Sequence, residues 1–277
     1  MSRRLTRRQR TYRWGRWGPP LLVFAAVVGL WYAVTYLLLA PDRRFLLPAP
    51  HAIVRVAFLD RANLTELLNA LALSATVAAI GLGIAAAAGV AAAIAMSQAR
   101  WVERSFYPYL VVLQTIPVLA LVPLFGFWFG FGLTSRVLVC VLVALFPIVA
   151  NTLFGLRSVA AVHHELFTLH RAGRWTRLAK LQLPAALPSI FTGLRISAGL
   201  SVIGAIVGDF FFKQGDPGIG ILIDVYRQRL QSEQLFAAVI LSSLLGVLVF
   251  WVFGFAARKV TGAWHESARE TAGRELV

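Results

Sequence analysis

Long apolar stretches, separated by short polar segments, run through most of the chain. Six of them predict membrane-spanning helices, because a helix needs about 20 predominantly apolar residues to cross the hydrocarbon core of a bilayer. They lie at about residues 20–40, 68–96, 107–129, 137–156, 188–212 and 235–257. The pattern therefore predicts an all-α, polytopic membrane protein with six transmembrane helices.

Small residues recur at every fourth position in the second and fifth spans. Such stripes let two helix backbones approach closely where lipid supplies no hydrophobic drive. In the second span they predict packing, either within one subunit or across a dimer. The fifth-span stripe also carries hydroxyl groups, so it suits a substrate path as well as tight packing. The two stripes consist of Gly81, Ala85, Gly89 and Ala93, and of Gly193, Ser197, Ser201, Ala205 and Asp209.

Two prolines, Pro117 and Pro123, interrupt the third span. Proline removes a backbone donor and bends a helix, and irregular backbone at membrane depth is tolerated only where it is buried in protein or lines a cavity. Gln114, Thr115 and the turn at Pro117 are therefore candidates for the wall of a translocation path. Asn151 in the fourth span is a further candidate, and we expect its amide to find an interhelical partner.

Asp209 is the only acidic residue inside the six predicted spans. Intramembrane carboxylates usually face the interior of a helix bundle or water, and they often serve ions or substrate. The position of Asp209 near the outer end of the fifth span is equally typical of a residue at the membrane interface. From the sequence, both interpretations stay open.

The composition changes the picture only by confirming the class. The chain has 277 residues, of which 58% are hydrophobic and 14% charged, and its mean hydropathy is +0.73. Soluble domains carry about 25% charged residues. The single cysteine, Cys140, excludes an intrachain disulfide.

The positions of the basic residues predict the topology. Residues 1–18 are rich in arginine and contain no acidic residue, which is typical of a cytoplasmic flank attracted to anionic lipid. The positive-inside rule then places both termini and a loop at residues 157–188 in the cytoplasm, and it counts Arg136 among the outer residues. Because this topology accounts for the net charge of +15, we do not expect nucleic-acid binding. The predicted organisation is a basic flank at 1–18, a transmembrane domain at 19–258 and a cytoplasmic tail at 259–277.

The first outer loop contains Leu46-Leu47-Pro48 and then Pro50, which suits the first position of a helix. Apolar residues follow at helical spacing, namely Ile53, Val54, Ala57 and Phe58. This pattern predicts an amphipathic helix along the outer membrane surface.

The segment from Glu165 to Pro184 resembles the cytoplasmic loop of ATP-binding-cassette importer permeases. That family has Glu-Ala-Ala, three residues, Gly, nine residues and Ile-x-Leu-Pro. Here Glu165 takes the acidic position, Leu166 and Phe167 the alanines, Leu181 the isoleucine, and Leu183 and Pro184 the closing pair, without a gap. Arg171 stands where the family has glycine, which permits a turn that arginine resists, and Gly173 follows two residues later.

The leucine-leucine-proline motif, the broken third span and the glycine-rich loop after the fifth span are also similar to the nitrate, sulfonate and taurine branch of this family. The resemblance covers most of residues 45–258. It implies the type I importer permease (MetI-like) fold in the plasma membrane of a prokaryote, with the Glu165 loop as the coupling helix that seats in a groove of the ATPase subunit. It also implies an extracytoplasmic solute-binding protein and a second permease subunit, with a homodimer preferred.

No phosphate-binding Gly-x-x-x-x-Gly-Lys-Ser/Thr motif occurs in the chain, so we expect ATP and Mg²⁺ to be bound by the partner ATPase and no cofactor by this chain. All five histidines lie outside the predicted spans, and no catalytic or metal-ligand spacing emerges. The chain is therefore predicted to move a solute, such as a small organic anion, nitrate, a sulfonate or a vitamin or pyrimidine precursor. The alternative is a self-contained, ion-coupled transporter that uses Asp209, although the duplicated halves common in such proteins are not visible.

Overall fold

A computed structural model describes residues 6–261, with the side chains of residues 18–260. The described part of the chain contains eleven α-helices. They are α1 (Thr6–Ala33), α2 (Pro50–Ile53), α3 (Arg61–Gln98), α4 (Arg100–Thr115), α5 (Val118–Phe129), α6 (Leu133–Arg157), α7 (Ala161–Leu169), α8 (Arg174–Arg177), α9 (Leu183–Phe211), α10 (Ile219–Gln228) and α11 (Ser232–Thr261). Wider π-helical turns extend α1, α2 and α8, at Val34–Leu38, Val54–Phe58 and Leu178–Gln182, and a 3₁₀ turn covers Pro41–Leu46.

The predicted spans are confirmed. Five helical segments are long and apolar enough to cross a bilayer: Gly18–Leu38, Arg61–Gln98, Leu133–Arg157, Arg174–Phe211 and Ser232–Val260. The sixth predicted span falls on α4 and α5, which meet at an angle of 101° and have the length and hydropathy of a span only when the bent pair is taken together. The bend lies at Ile116 and Pro117, as the prolines predict, whereas Pro123 is accommodated inside α5. Pro184 lies in the first turn of α9, directly after the π-helical turn.

The described chain divides into two compact units. The first contains the residues up to Glu66 together with Val225–Ala237. In it, Trp31 Nε1 donates to Pro48 O at 3.1 Å and Thr35 Oγ1 donates to Leu47 O at 3.1 Å, so the Leu-Leu-Pro motif is fixed to the first span. A helix begins at Pro50 as predicted.

The C-terminal part of α10 is tied to the first turns of α3 within the same unit. The hydroxyl of Tyr226 donates to Glu66 Oε2 at 3.0 Å. Burial and the neighbouring Glu66 carboxylate raise the pKa of the Tyr226 hydroxyl above its ordinary value. The hydroxyl of Tyr226 therefore keeps the proton that it donates at neutral pH.

The second unit, Leu67–Asp224 with the chain from Ala238 onward, has α6 and α9 packed side by side at its centre. Glycine permits this contact, since a Cβ on Gly193 would lie only 2.9 Å from Pro147 O. The α3 stripe packs on α6 in the same way, because Gly89 meets the side chain of Ile148 and Ala85 is fully buried. This settles the question left by the sequence: the second-span stripe packs within the subunit.

One expectation from the sequence is wrong, and two others fall mostly on residues that the structure does not describe. Arg136, counted as an outer-loop residue, lies in α6 and is only 1% exposed. The predicted N-terminal flank (1–18) and C-terminal tail (259–277) fall mostly on residues 1–5 and 262–277, which lie outside the described range, and on residues 6–17, whose side chains are not described.

Candidate functional site

The segment that carries the family resemblance folds as a helix, a turn and a second helix. The last turn of α7 is closed by bonds from Arg171 N to Thr168 O (2.9 Å) and from Ala172 N to Phe167 O (2.9 Å). This ending needs one residue in the left-handed conformation, and Arg171 supplies it with φ +49°. Arginine thus makes the turn that glycine makes in the family, and Gly173, with φ −66°, caps α8 in extended conformation instead.

One face of α7 carries apolar side chains that the described chain leaves uncovered. Val162 is 72% exposed, Leu166 50% and Leu169 80%. Their spacing of four and three residues places them on one side of a helix. Glu165 next to them is exposed, and Phe167 is half-buried. A helix with an open apolar stripe and a neighbouring charge has the form of a helix that docks in a groove.

The segment after α7 is anchored in the helix bundle. Leu178 is 5% exposed and packs in a core cluster with residues of α3, α6 and α9, among them Met96, Leu156 and Ile190. Leu183 packs against the same cluster. Leu181 is half-buried and Pro184 exposed. Arg177 Nη2 also donates to Thr168 Oγ1 at 3.1 Å, which ties α8 back to α7.

Two polar contacts join the same end of the bundle. Both guanidinium nitrogens Nη1 and Nη2 of Arg157, at the end of α6, donate to the two carboxylate oxygens of Glu103 in α4. Gln98, at the end of α3, donates through Nε2 to Gln182 Oε1 at 3.4 Å. Because a bidentate pair fixes orientation as well as distance, it holds the end of α6 against α4.

The broken span exposes its predicted path residues. Gln114, Thr115 and Pro117 are all exposed at the break between α4 and α5. Thr115 Oγ1 donates to Val112 O at 2.8 Å, which satisfies a carbonyl at the end of α4. The arrangement therefore leaves the Gln114 amide at an open, irregular point of the membrane-spanning region, and its role in a path remains a prediction.

Asp209 lies at a buried junction of four elements. Its Oδ2 accepts from Ser74 Oγ of α3 at 2.5 Å and from Gly220 N of α10 at 3.3 Å. Its Oδ1 is 3.2 Å from Arg136 Nη1 of α6 but receives no aligned hydrogen bond, so that attraction is Coulombic. With a side chain 0% exposed, Asp209 is enclosed by protein and has no surface on a path in this structure.

Arg136 in turn holds the loop between α9 and α10. Its Nε donates to Phe212 O at 2.8 Å, its Nη2 to Gln214 O at 3.0 Å and its Nη1 to Asp216 O at 3.1 Å. Lys213 of the same loop pairs with Asp224 Oδ2 at 2.5 Å. The guanidinium therefore has a partner on each nitrogen, which is the condition under which a buried charge is tolerated.

The remaining path candidates are engaged in packing. Ser197 Oγ donates to Ala144 O of α6 at 2.7 Å, and Ser201 Oγ donates to Ala198 O at 2.9 Å; both residues are buried. The fifth-span stripe thus packs on α6, where the sequence left a substrate path open. The expected interhelical partner of Asn151 is not what the structure shows, because its Nδ2 donates within α6 to Pro147 O at 2.8 Å.

The exposed face of α9 was not predicted from the sequence. Thr192, Ile196, Ile203 and Phe211 are exposed, and they lie beside the predicted stripe rather than on it. Arg195 was not predicted as a feature of interest either, although an arginine in the middle of an apolar span is visible in the sequence. The pairing of Arg136 with Asp209 had no sequence signal, because 73 positions separate them.

Comparison with known proteins identifies the family of this chain. Residues 79–262 match the family described as binding-protein-dependent transport system inner membrane component. The chain belongs to this family. The chain is 37% identical to the formylaminopyrimidine transport permease protein ThiX of Halalkalibacterium halodurans over 87% of this chain and 91% of that protein. It is 33% identical to the putative aliphatic sulfonates transport permease protein SsuC of Bacillus subtilis (84% and 82%) and 31% identical to the nitrate import permease protein NrtB of Leptolyngbya laminosa (66% and 64%).

The protein is therefore a multi-pass inner-membrane permease subunit of an ATP-binding-cassette importer. Membership of this family implies an ATPase and a solute-binding protein as partners. A transport component of this kind moves its solute without chemical change. The alternative of a self-contained transporter driven through Asp209 gains no support, since that carboxylate is fully enclosed, with Oδ2 hydrogen-bonded to Ser74 and Oδ1 beside the Arg136 guanidinium.

Proposed function

We propose that the permease couples to its ATPase through α7 and the segment up to Pro184. The open stripe of Val162, Leu166 and Leu169 carries this proposal, because three exposed apolar residues on one face of a short helix outside the spans call for a partner. Glu165 lies beside the stripe and is available for a charged contact with the same partner.

The coupling runs from the docked helix into the bundle. Leu178 is the first buried residue after α7, and its cluster joins α3, α6 and α9. Packed clusters transmit displacement because they resist deformation. Closure of the ATPase would thus tilt the helices through Leu178 on one side and through the Glu103–Arg157 pair on the other.

The proposed topology places α7, both termini and the Arg157 end of α6 in the cytoplasm. The positive-inside distribution of the basic residues supports this orientation. The loop between α9 and α10, which Arg136 holds, is then on the outer side, where the solute-binding protein delivers its ligand.

The proposed assembly is a pair of permease chains with two ATPase subunits, which bind ATP and Mg²⁺. The apolar faces of α4 and α5 support a second permease copy, because Phe106, Tyr109, Phe127 and Trp128 are all more than half exposed. We propose a homodimer, with the exposed Gln114 and Thr115 of each chain lining the path.

The proposed substrate is a small organic anion or a pyrimidine or vitamin precursor. The names of the relatives support this class, since they concern formylaminopyrimidine, aliphatic sulfonates and nitrate. A solute carried by the separate binding protein can be identified by screening that protein once it is purified with the permease.

The test is co-purification of the ATPase with tagged variants. Leu166→Glu and Glu165→Arg should each weaken ATPase binding about 30-fold or more, the effect of about 2 kcal/mol expected for a central contact. His163→Glu is the matched control, because it puts the same charge on α7 about a quarter turn from the stripe. Insertion and pairing of the permease should be unchanged in all three. Retention of the ATPase by Leu166→Glu would contradict the proposal.

A further inference from the structure

Between α9 and α11 lies a charged side chain that has no anionic partner among the described residues. The guanidinium of Arg195 stacks on the ring of Phe250, 3.7 Å from its centroid. It also lies against Gly254, where a Cβ would be 3.2 Å from Arg195 Cζ. Arg195 Nε is buried and has no hydrogen-bond partner among the described residues. An arginine inside a membrane span normally pairs with an acid or a backbone carbonyl, so this one calls for a ligand.

An apolar groove begins beside Arg195, at Ile196 on α9 and at Val247 on α11. It has a volume of about 740 Å³ and is lined mainly by isoleucine and valine side chains and by glycines of α9 and α11, among them Ile196, Gly199, Ile203, Val239, Gly246 and Val247. Along α9 it runs from Ile196 to Phe210, which is about 21 Å at 1.5 Å per residue.

The two features together have the polarity of an amphiphile's binding site. The cation lies at one end, and the groove continues from it for longer than the about 15 Å that one leaflet of the hydrocarbon core occupies. Beyond Gly254, the next turn of α11 brings the exposed Arg258 and Lys259. A single anionic head group can therefore be met by Arg195 from inside the membrane and by the end of α11 from the surface.

We propose that this seam between α9 and α11 binds an anionic phospholipid, with the phosphate on Arg195 and one acyl chain in the groove. Charge complementarity favours this occupant over a second copy of the chain, because the exposed residues of the α4 and α5 faces offer apolar contact but the Arg195 end requires an anion. The apolar lining favours it over a hydrophilic substrate. The assignment to the cytoplasmic leaflet rests on the topology proposed above, whereas the binding itself does not.

The test uses the full-length permease purified with its partner subunits and placed in vesicles of phosphatidylcholine with or without phosphatidylglycerol. Native mass spectrometry counts retained phosphatidylglycerol, and thermal unfolding measures its effect on stability. Arg195→Met should weaken phosphatidylglycerol binding about tenfold or more, the equivalent of about 1.4 kcal/mol, and abolish the rise in melting temperature. Arg104→Met is the matched control, because it removes an exposed positive charge near the N-terminal end of α4 and should change neither readout.

A second variant keeps the charge and fills the groove. Ile203→Trp should reduce lipid retention with Arg195 intact, which separates the acyl-chain contact from the ionic one. Equal retention in wild type and Arg195→Met would overturn the proposal. Protection of the detergent-solubilised protein by inorganic phosphate alone would show a free-anion site and overturn it as well. Disulfide formation between two copies of Ile203→Cys would show that a second subunit covers the groove, with the same consequence.

Discussion

The guanidinium Nη1 of Arg136 lies 3.2 Å from Oδ1 of Asp209, and both side chains are buried in the described structure. The pair joins the N-terminal turn of α6 to the C-terminal part of α9. Because Arg136 also binds three carbonyls of the loop after α9, the loop and the two helices form one connected polar assembly. Such an assembly is costly to disturb from either side.

We therefore expect Asp209→Asn to destabilise the protein rather than to affect transport selectively. The substitution leaves Arg136 buried without a counter-charge, which costs about 3–5 kcal/mol when one member of a buried pair is removed. Thermal unfolding of the purified permease measures the loss, and a lower yield of folded protein should accompany it. Normal stability combined with lost uptake would instead support a direct role of Asp209 in the path.

The double variant Arg136→Met with Asp209→Asn provides the companion measurement. With both charges gone, no unpaired charge remains in the core, so the double variant should be more stable than Arg136→Met alone, which strands the carboxylate. The difference between the double variant and the sum of the two single variants gives the interaction energy of the pair. Simple additivity would show that the two charges do not interact.

Much of the fold follows from the sequence, because membrane spans are set by local apolar length. The broken third span was also predictable, since Pro117 acts on its own helix. The buried pair was not predictable, because nothing near Arg136 in the sequence distinguishes it from an arginine in an outer loop. For the same reason the periodicity identified a stripe of small residues on α9 but not the element that this stripe contacts. From the sequence, Ser197 could face either α6 or a substrate path.

Gly218→Ala should loosen the loop that Arg136 holds. A Cβ at Gly218 would overlap the Asp209 carboxylate. Asp209 cannot move far to relieve this overlap, because its carboxylate accepts a hydrogen bond from Ser74. The expected result is faster hydrogen exchange at the amides of Ile219 and Gly220, together with a lower melting temperature. Gly199→Ala is the control, because a Cβ there meets nothing within 4 Å. Equal behaviour of the two variants would contradict the close contact.

Arg171→Gly should stabilise the turn after α7. Arg171 has φ +49°, and the left-handed conformation costs a residue with a Cβ about 1–2 kcal/mol. Glycine relieves that strain, so amides at the end of α7 should exchange more slowly and ATPase binding should be kept. Gly173→Ala makes the opposite change two residues later, at a φ of −66° that alanine adopts freely, and should have little effect. Destabilisation by Arg171→Gly would contradict this prediction. It would mean that the arginine side chain makes a contact that stabilises the turn by more than the backbone strain costs.

The Glu103–Arg157 pair allows a test of coupling that is separate from docking. Both side chains are partly exposed, at 22% and 44%, so breaking the pair should cost no more than about 1 kcal/mol of stability. Glu103→Arg should nevertheless reduce ATP-driven uptake, because the charge reversal breaks the polar link between α4 and α6 while the apolar stripe of α7 stays intact and holds the ATPase. Uptake and ATPase co-purification are measured on the same membranes. The exchange Glu103→Arg with Arg157→Glu restores a pair of opposite charges and should recover much of the uptake. If the single variant keeps full uptake, or if it loses the ATPase, the transmission between these helices does not pass through this pair.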